Sequence, residues 1–389
     1  MTTRAALTLT IALAAAETAH ASPDSAELFR NGDFAGAAAA YQASLDSNPK
    51  DGAALTGLGA IRLYQNDLAE AEALLRAAVA ADTSNTRAAR ALEELQRRRA
   101  ESVRRSTVEG GETAIPFVVS DPLPVVRVVA NGQEGNFVVD TGGDVDLEPG
   151  FAARVGVRTE NSGNGMFAGG KQAPTRTGML ASLSLGGATA DDVSVHVLPS
   201  HSEILFPNVR IDGIVGTTYF ERFLVTIDYP RQRLILRPRS PEVSAEFQSQ
   251  AKASSATIEP CLLIGDHLVV ATAQVNDAPA HPFVFDSGLA GGGIMSSSEL
   301  VKAAGIQLDE AHAGTGVGGG GAVTAIPFVA RRVAVGTAVV ENVRGFYTPE
   351  GSPFTIFPFT VWGAVSDEFL RHFAYTVDFE AMTVVLAPG

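Results

Sequence analysis

From about Ile115 to Gly389 this chain is written twice, and that duplication constrains its fold more than any other feature. In the first copy Val125–Val129 reads as a strand and Asn131-Gly132 as a turn. Phe137-Val138-Val139 then runs into Asp140-Thr141-Gly142. In the second copy Leu268–Val275, Asn276-Asp277 and Phe283-Val284-Phe285 lead to Asp286-Ser287-Gly288 in the same order. Each copy continues with a helix-like segment closed by Gly and a β-branched residue, Gly156-Val157 or Gly305-Ile306. A Gly-rich stretch follows, Gly163–Gly170 or Gly314–Gly321, then a strand ending in Gly186 or Gly336. Asp212–Leu236 aligns on Trp362–Leu386 without a gap, sharing Gly213/Gly363, Phe223/Phe373, Thr226/Thr376 and Asp228/Asp378. Short apolar runs broken by Gly, Asn-Gly and Pro are an all-β signature. The economical reading is a gene duplication giving two like-folded lobes, 113–239 and 257–389. The stretch 240–256 is polar, lacks hydrophobic periodicity, and reads as the linker.

Residues 22–105 have a different texture. They are rich in Ala, Leu, Glu and Arg, with apolar residues recurring at three and four, which predicts amphipathic helices. A 34-residue offset matches Asp33 with Asp67, Phe34 with Leu68, Ala37 with Ala71, Tyr41 with Leu75 and Leu45 with Val79. With Leu55, Leu58, Gly59 and Ala78 added, this pattern resembles the tetratricopeptide repeat (TPR), which implies helical hairpins and protein contacts. The segment Thr86–Arg105 is expected to cap the stack. The basic cluster Arg97, Arg98, Arg99, Arg104 and Arg105 reads as a solvated helix end, where the dipole favours cations, rather than a partner site.

The first 21 residues read as a secretory signal: Arg4, the apolar run Ala5–Ala16, and the cleavage pattern Ala19-His20-Ala21. That run is short for a bilayer span and no later stretch approaches one. The expectation is a bacterial periplasmic or secreted protein cleaved near Ala21, with no membrane span.

Asp-Thr-Gly after a Val/Phe strand is the active-site triplet of aspartic proteases, and residues 113–389 resemble bacterial retropepsin-like proteins that carry TPRs. The resemblance implies an all-β bilobal fold, two β-barrel lobes related by a pseudo-twofold axis, following the all-α TPR hairpins. It implies one catalytic carboxylate per lobe, Asp140 and Asp286, and a monomer, because both halves lie in one chain. Two carboxylates about 3 Å apart cannot both ionise, the behaviour for which aspartic proteases are the standard example. The ionised member takes a proton from water while the neutral member donates to the peptide carbonyl.

In such a family Thr141 and Ser287 lock the two active-site loops together. Gly142 and Gly288 let the backbone approach the dyad. The motif Ile214-Val215-Gly216 and its counterpart Ala364-Val365-Ser366 support the loops from beneath. Flaps that close over the peptide are expected at Gly163, Gly165, Met166, Phe167, Gly169 and Gly170, and at Gly316, Val317, Gly318 and Gly319. Both lobes depart from the pattern at Gly143 and Leu289, which follow the triplets where such a family usually carries Ala, Ser or Thr; lobe 2 departs further at Ser366, which stands where Gly216 predicts Gly.

Several classes are excluded or disfavoured. The net charge of -14, with 43 acids against 29 bases, argues against a nucleic-acid binder. One cysteine, Cys261, allows neither an internal disulfide nor a Cys-based zinc site, and the seven His never recur at i, i+4, so no metal and no cofactor is expected. Cys261 is expected to be a small buried residue. Gly314-Thr315-Gly316-Val317-Gly318-Gly319 fits a dinucleotide fingerprint but lacks the strand before and helix after that it requires. Asp144 and Asp146 read as a polar loop end, and Trp362 as either a pocket wall or a core or lobe-interface aromatic. The expected function is exported aspartic endopeptidase acting on peptide or protein substrates. The competing readings are a catalytically weak or inactive peptide-binding scaffold using the same cleft, and an enzyme that cuts only itself.

Overall fold

The computed structural model describes residues 24–389 apart from 103, 168–170, 200–201, 266 and 319–320. The expected signal, residues 1–21, lies outside the described residues.

Aspartates open the N-terminal helices. Asp24, Asp33, Asp51 and Asp67 each turn a carboxylate onto free N–H groups of a first turn, the donors a helix start leaves unpaired. The helices are Ser25–Arg30 (α1), Phe34–Ser47 (α2), Gly52–Tyr64 (α3), Leu68–Ala81 (α4) and Thr86–Ser102 (α5). Small residues set their spacing. A Cβ on Gly57 would lie 2.2 Å from the Tyr41 ring, and one on Gly59 2.8 Å from Leu75.

Helix α5 stops at Ser102, and Ser106–Val108 is already a strand paired with Ala188–Val197 of lobe 1. The Arg cluster is no solvated helix end at Arg98, which is 6% exposed. Its guanidinium donates to Leu63 O (2.8 Å) of α3, to Leu263 O (2.6 Å) and Gly265 O (2.9 Å) of lobe 2, and to Glu94 (2.7 Å). A planar fork with five donors suits convergent carbonyls from three elements. Sequence periodicity does not show this, because the partners lie in another domain. Arg104 reaches Asp192 O and Ser194 Oγ (3.1 Å) of lobe 1.

Both lobes repeat one sheet pattern. In lobe 1, Gln133–Asp140 lies between the antiparallel Val125–Ala130 and the parallel Gly213–Gly216. In lobe 2, His281–Asp286 lies between Leu268–Val275 and Gly363–Ser366 in the same sense. Phe137 and Phe283 are fully buried at equivalent places, each contributing roughly 2–3 kcal/mol of burial.

The lobes meet in a shared antiparallel sheet. Its order is Thr257–Ile264, Thr383–Pro388, Phe373–Asp378, Phe223–Asp228, Arg233–Pro238, Thr113–Pro116. At the seam Thr226 pairs with Thr376, and their hydroxyls lie 2.7 Å apart. The two residues that the gapless alignment equates face each other across the pseudo-twofold axis.

The segment between the lobes is a helix, Pro241–Ala253, capped by Ser240. It packs against lobe 2: Ser244 Oγ and Gln248 Nε2 donate to buried Asp378 at 2.7 and 2.9 Å. In lobe 1 the equivalent Asp228 accepts instead from Arg233 Nε at 3.0 Å. The helix buries only Ser244 and Ala251, so it shows no apolar stripe.

The helical region packs on lobe 2. Phe359 lies edge-on to Phe29 (5.9 Å) and Phe34 (4.8 Å), and Thr360 N–H donates to Arg30 O at 2.8 Å. Phe29, Leu58 and Tyr64 share one apolar cluster with Val284 and Ala364, the register pair two residues before Asp286 and Ser366. In lobe 1 the matching pair, Val138 and Ile214, is covered by Leu123, Phe206 and Ile211 of that lobe.

Candidate active site

Asp140 and Asp286 end the two central strands. Parallel pairing sets each beside its support motif: Val138 opposite Ile214, Val139 opposite Val215, Asp140 opposite Gly216; and Val284 opposite Ala364, Phe285 opposite Val365, Asp286 opposite Ser366. The triplet turns then cross the axis. Thr141 N–H donates to Ser287 Oγ (3.0 Å) and Ser287 N–H to Thr141 Oγ1 (3.1 Å). The Thr141 hydroxyl donates to Phe285 O (2.9 Å) and the Ser287 hydroxyl to Val139 O (3.0 Å). Each buried hydroxyl spends its proton on a carbonyl and accepts one N–H, which is why both triplets carry a hydroxyl residue.

The crossing packs each carboxyl against the triplet glycine of the other lobe, close enough for the two to perturb each other's ionisation. Gly142 N–H donates to Asp140 Oδ1 and Gly288 N–H to Asp286 Oδ1, both at 2.8 Å. The glycines are obligatory: a Cβ on Gly142 would lie 2.3 Å from Asp286 Cγ, and one on Gly288 2.1 Å from Asp140 Cγ. Burial, followed by the neighbouring Asp286 charge, holds Asp140 well above the usual carboxylate range. Burial also raises Asp286, with the Gly288 N–H opposing it. Two raised carboxyls in contact retain one shared proton more readily than two separate ones would.

Lobe 2 accommodates its departures. A Cβ on Gly216 would lie 2.1 Å from Gly143 O, so the lobe 1 loop sits directly on that glycine. In lobe 2 the Ser366 hydroxyl reaches across instead and donates to Leu289 O at 2.7 Å. The Ser is therefore a second way of holding the active-site loop.

The Gly-rich stretches are hairpins. Thr159–Phe167 pairs with Lys171–Leu185, and Gly314–Gly318 with Gly321–Val335. Gly163 and Gly165 lie on the first, with Met166 and Phe167 at its end. Gly316, Val317 and Gly318 lie on the second. Val317 is exposed. Gly169, Gly170 and Gly319 lie outside the described residues. Lys171 Nζ of the first hairpin donates to Ala322 O of the second.

Thr217, His196 and His267 escape sequence reasoning. Thr217 donates its hydroxyl to Thr141 O at 2.9 Å and its N–H to Gly143 O at 2.9 Å; its place directly after Gly216 is the available signal. Asp144 and Asp146 are more than a polar loop end: His196 Nδ1 lies 3.3 and 3.6 Å from them. His267 Nδ1 of lobe 2 lies 3.5 Å from Asp144. Hydrogen bonding to the carboxylates of Asp144 and then Asp146 pushes His196 up to about 10. Trp362 stacks on His281 within lobe 2, with ring centroids 4.0 Å apart. Cys261 is buried, and burial pushes its thiol far up. Among the described residues no helix is long and apolar enough to cross a membrane.

Comparison with known proteins follows the same division. Residues 126–219 and 271–357 match the aspartyl protease family, and residues 25–86 match the tetratricopeptide repeat family. No curated protein matches the chain. Among solved structures, one similar to it is a retropepsin-like aspartic protease from Rickettsia conorii. The two are 23% identical, the match covers 35% of this chain and 95% of that one, and the TM-score is 0.27.

Proposed function

We propose that this chain, which joins a tetratricopeptide repeat region to two lobes of the aspartyl protease family, is an exported endopeptidase that cuts peptide bonds between Asp140 and Asp286. One observation carries the proposal: the reciprocal Thr141–Ser287 hydrogen bonds, which seat two buried carboxyls against each other. In this reading the ionised carboxyl takes a proton from an attacking water. The neutral carboxyl protonates the oxygen of the scissile carbonyl; the proton taken from water then passes to the leaving amine as the C–N bond breaks, and the gem-diol returns a proton to the carboxyl that supplied one. The two hairpins fold over an extended peptide and exclude bulk water. The leader pattern of residues 1–21 supports export.

Besides the shortness of the helical repeat, the peptide-binding alternative rests on Ser366 and Leu289. Their mutual hydrogen bond, and the equal 2.8 Å Gly N–H bonds on both carboxyls, weaken it. The test is digestion of a diverse peptide library by purified protein from about pH 3 to about pH 8, with and without an active-site-directed aspartic protease inhibitor. Inhibitor-sensitive cleavage supports the endopeptidase. Peptide capture without cleavage supports the scaffold.

A further inference from the structure

The turn between strands Thr257–Ile264 and Leu268–Val275 touches both the helical region and the active-site loop of the other lobe. At one end Arg98 of α5 grips it through Leu263 O and Gly265 O. At the other His267 Nδ1 reaches Asp144 Oδ1, 3.5 Å away in lobe 1 and four residues after Asp140. Asp144 Oδ2 faces His196 Nδ1 at 3.3 Å, and His196 N–H donates to Val145 O at 2.9 Å. The loop leaving Asp140 is thus held between an imidazole of its own lobe and an imidazole of the opposite lobe.

We propose that His267 is a positioning residue for the endopeptidase reaction, and that Arg98 braces it, so that the helical region sets the active-site loop of lobe 1 through a lobe 2 turn. This gives the helical region a role within its own chain. It rests on the endopeptidase reading given above.

The charges define how the clasp responds to pH. Among the described residues, His267 meets Asp144 on the lobe 1 loop and acts electrostatically on Asp146 and on Asp286 at the end of its strand, while His196 reaches Asp144 from Ala188–Val197. Its neighbour Asp266 lies outside the described residues. A protonated His267 attracts Asp144 and favours ionisation of Asp286. The charge of Asp146, by contrast, opposes ionisation of Asp140. Removing the cation therefore makes the dyad harder to ionise, and the acid limb of kcat/KM moves to higher pH.

The experiment compares parent, His267→Gln, His267→Lys and Arg98→Lys. His267 is about a quarter exposed at its side chain (27%), so its variants are expected to fold. His267→Gln should move the acid limb of kcat/KM upward by about 0.5–1 pH, with roughly tenfold lower kcat/KM. Amide exchange at residues 142–147 should quicken. His267→Lys should restore the limb, because it keeps the cation. Arg98→Lys keeps its charge but loses the fork; it should quicken the same amides, and its effect should not add to that of His267→Gln. An unmoved limb together with unchanged exchange in His267→Gln overturns the proposal, as do additive effects of the two changes. If no form cleaves anything, the endopeptidase reading fails, and the exchange rates still decide whether His267 positions the loop.

Discussion

Thr141 and Ser287, from opposite lobes, each donate a backbone N–H to the other's hydroxyl, at 3.0 and 3.1 Å. The exchange joins the two lobes at the point where their carboxyls meet. Thr141→Val keeps the shape but strips one hydroxyl, leaving Ser287 N–H and Phe285 O unpaired in a buried place. A loss of about 2–4 kcal/mol follows, for two buried groups left unsatisfied. Urea unfolding measures it. Ser287→Ala on top of Thr141→Val should cost less than the sum of the single changes, since both break one network.

Gly216 and Ser366 occupy equivalent positions with opposite tolerance. Gly216→Ala forces a Cβ onto Gly143 O and Asp144 O, both backbone atoms. It should destabilise the chain by about 2–3 kcal/mol and remove cleavage. Ser366→Gly only loses the bond to Leu289 O, a cost of about 1 kcal/mol, and should retain activity. Kinetics and unfolding of the two variants side by side check this asymmetry.

Phe359 anchors lobe 2 to the helical region through Phe29, Phe34 and Tyr64. Phe359→Ala should cost about 3–5 kcal/mol. Proteolysis limited to the helical region, with the lobes left intact, is the expected pattern under native conditions.

Two histidines give the stability a pH dependence with a defined sign. Burial lowers His281 to about 4 from its ordinary 6.5. The unfolded chain binds this proton first, so stability falls as pH drops from 6.5 through 4. His196 is raised to about 10 from 6.5. Its contribution is complete below 6.5 and disappears as pH rises through 10. Denaturant midpoints across this range should fall at both ends. His281→Phe should flatten the acid side, and His196→Gln the alkaline side.

The duplicated region was legible because strands keep their order and spacing when a lobe is copied. The gapless block from Asp212 to Leu236 even identified Thr226 and Thr376, the pair that meets on the axis. Contacts between unlike elements left no such trace. Arg98 and Gly265 lie 167 residues apart, and nothing in a basic helix end announces a carbonyl partner. The linker helix hid for a different reason. It is held by Ser244 and Gln248 on Asp378 rather than by an apolar face, so hydrophobic periodicity could not reveal it. Asp144 looked like loop polarity because its partners, His196 and His267, come from two different lobes.

The most direct measurement is cleavage of a peptide library by the parent, by Asp140→Asn and by Asp286→Asn, with unfolding followed in parallel. Burial raises both carboxyls, so each carries a stability cost that grows as pH rises through its folded value. Asn removes that cost. Both variants should therefore unfold no earlier than the parent at neutral pH and cleave nothing. Parental cleavage rates from either well-folded variant would contradict the dyad, and with it the proposed function.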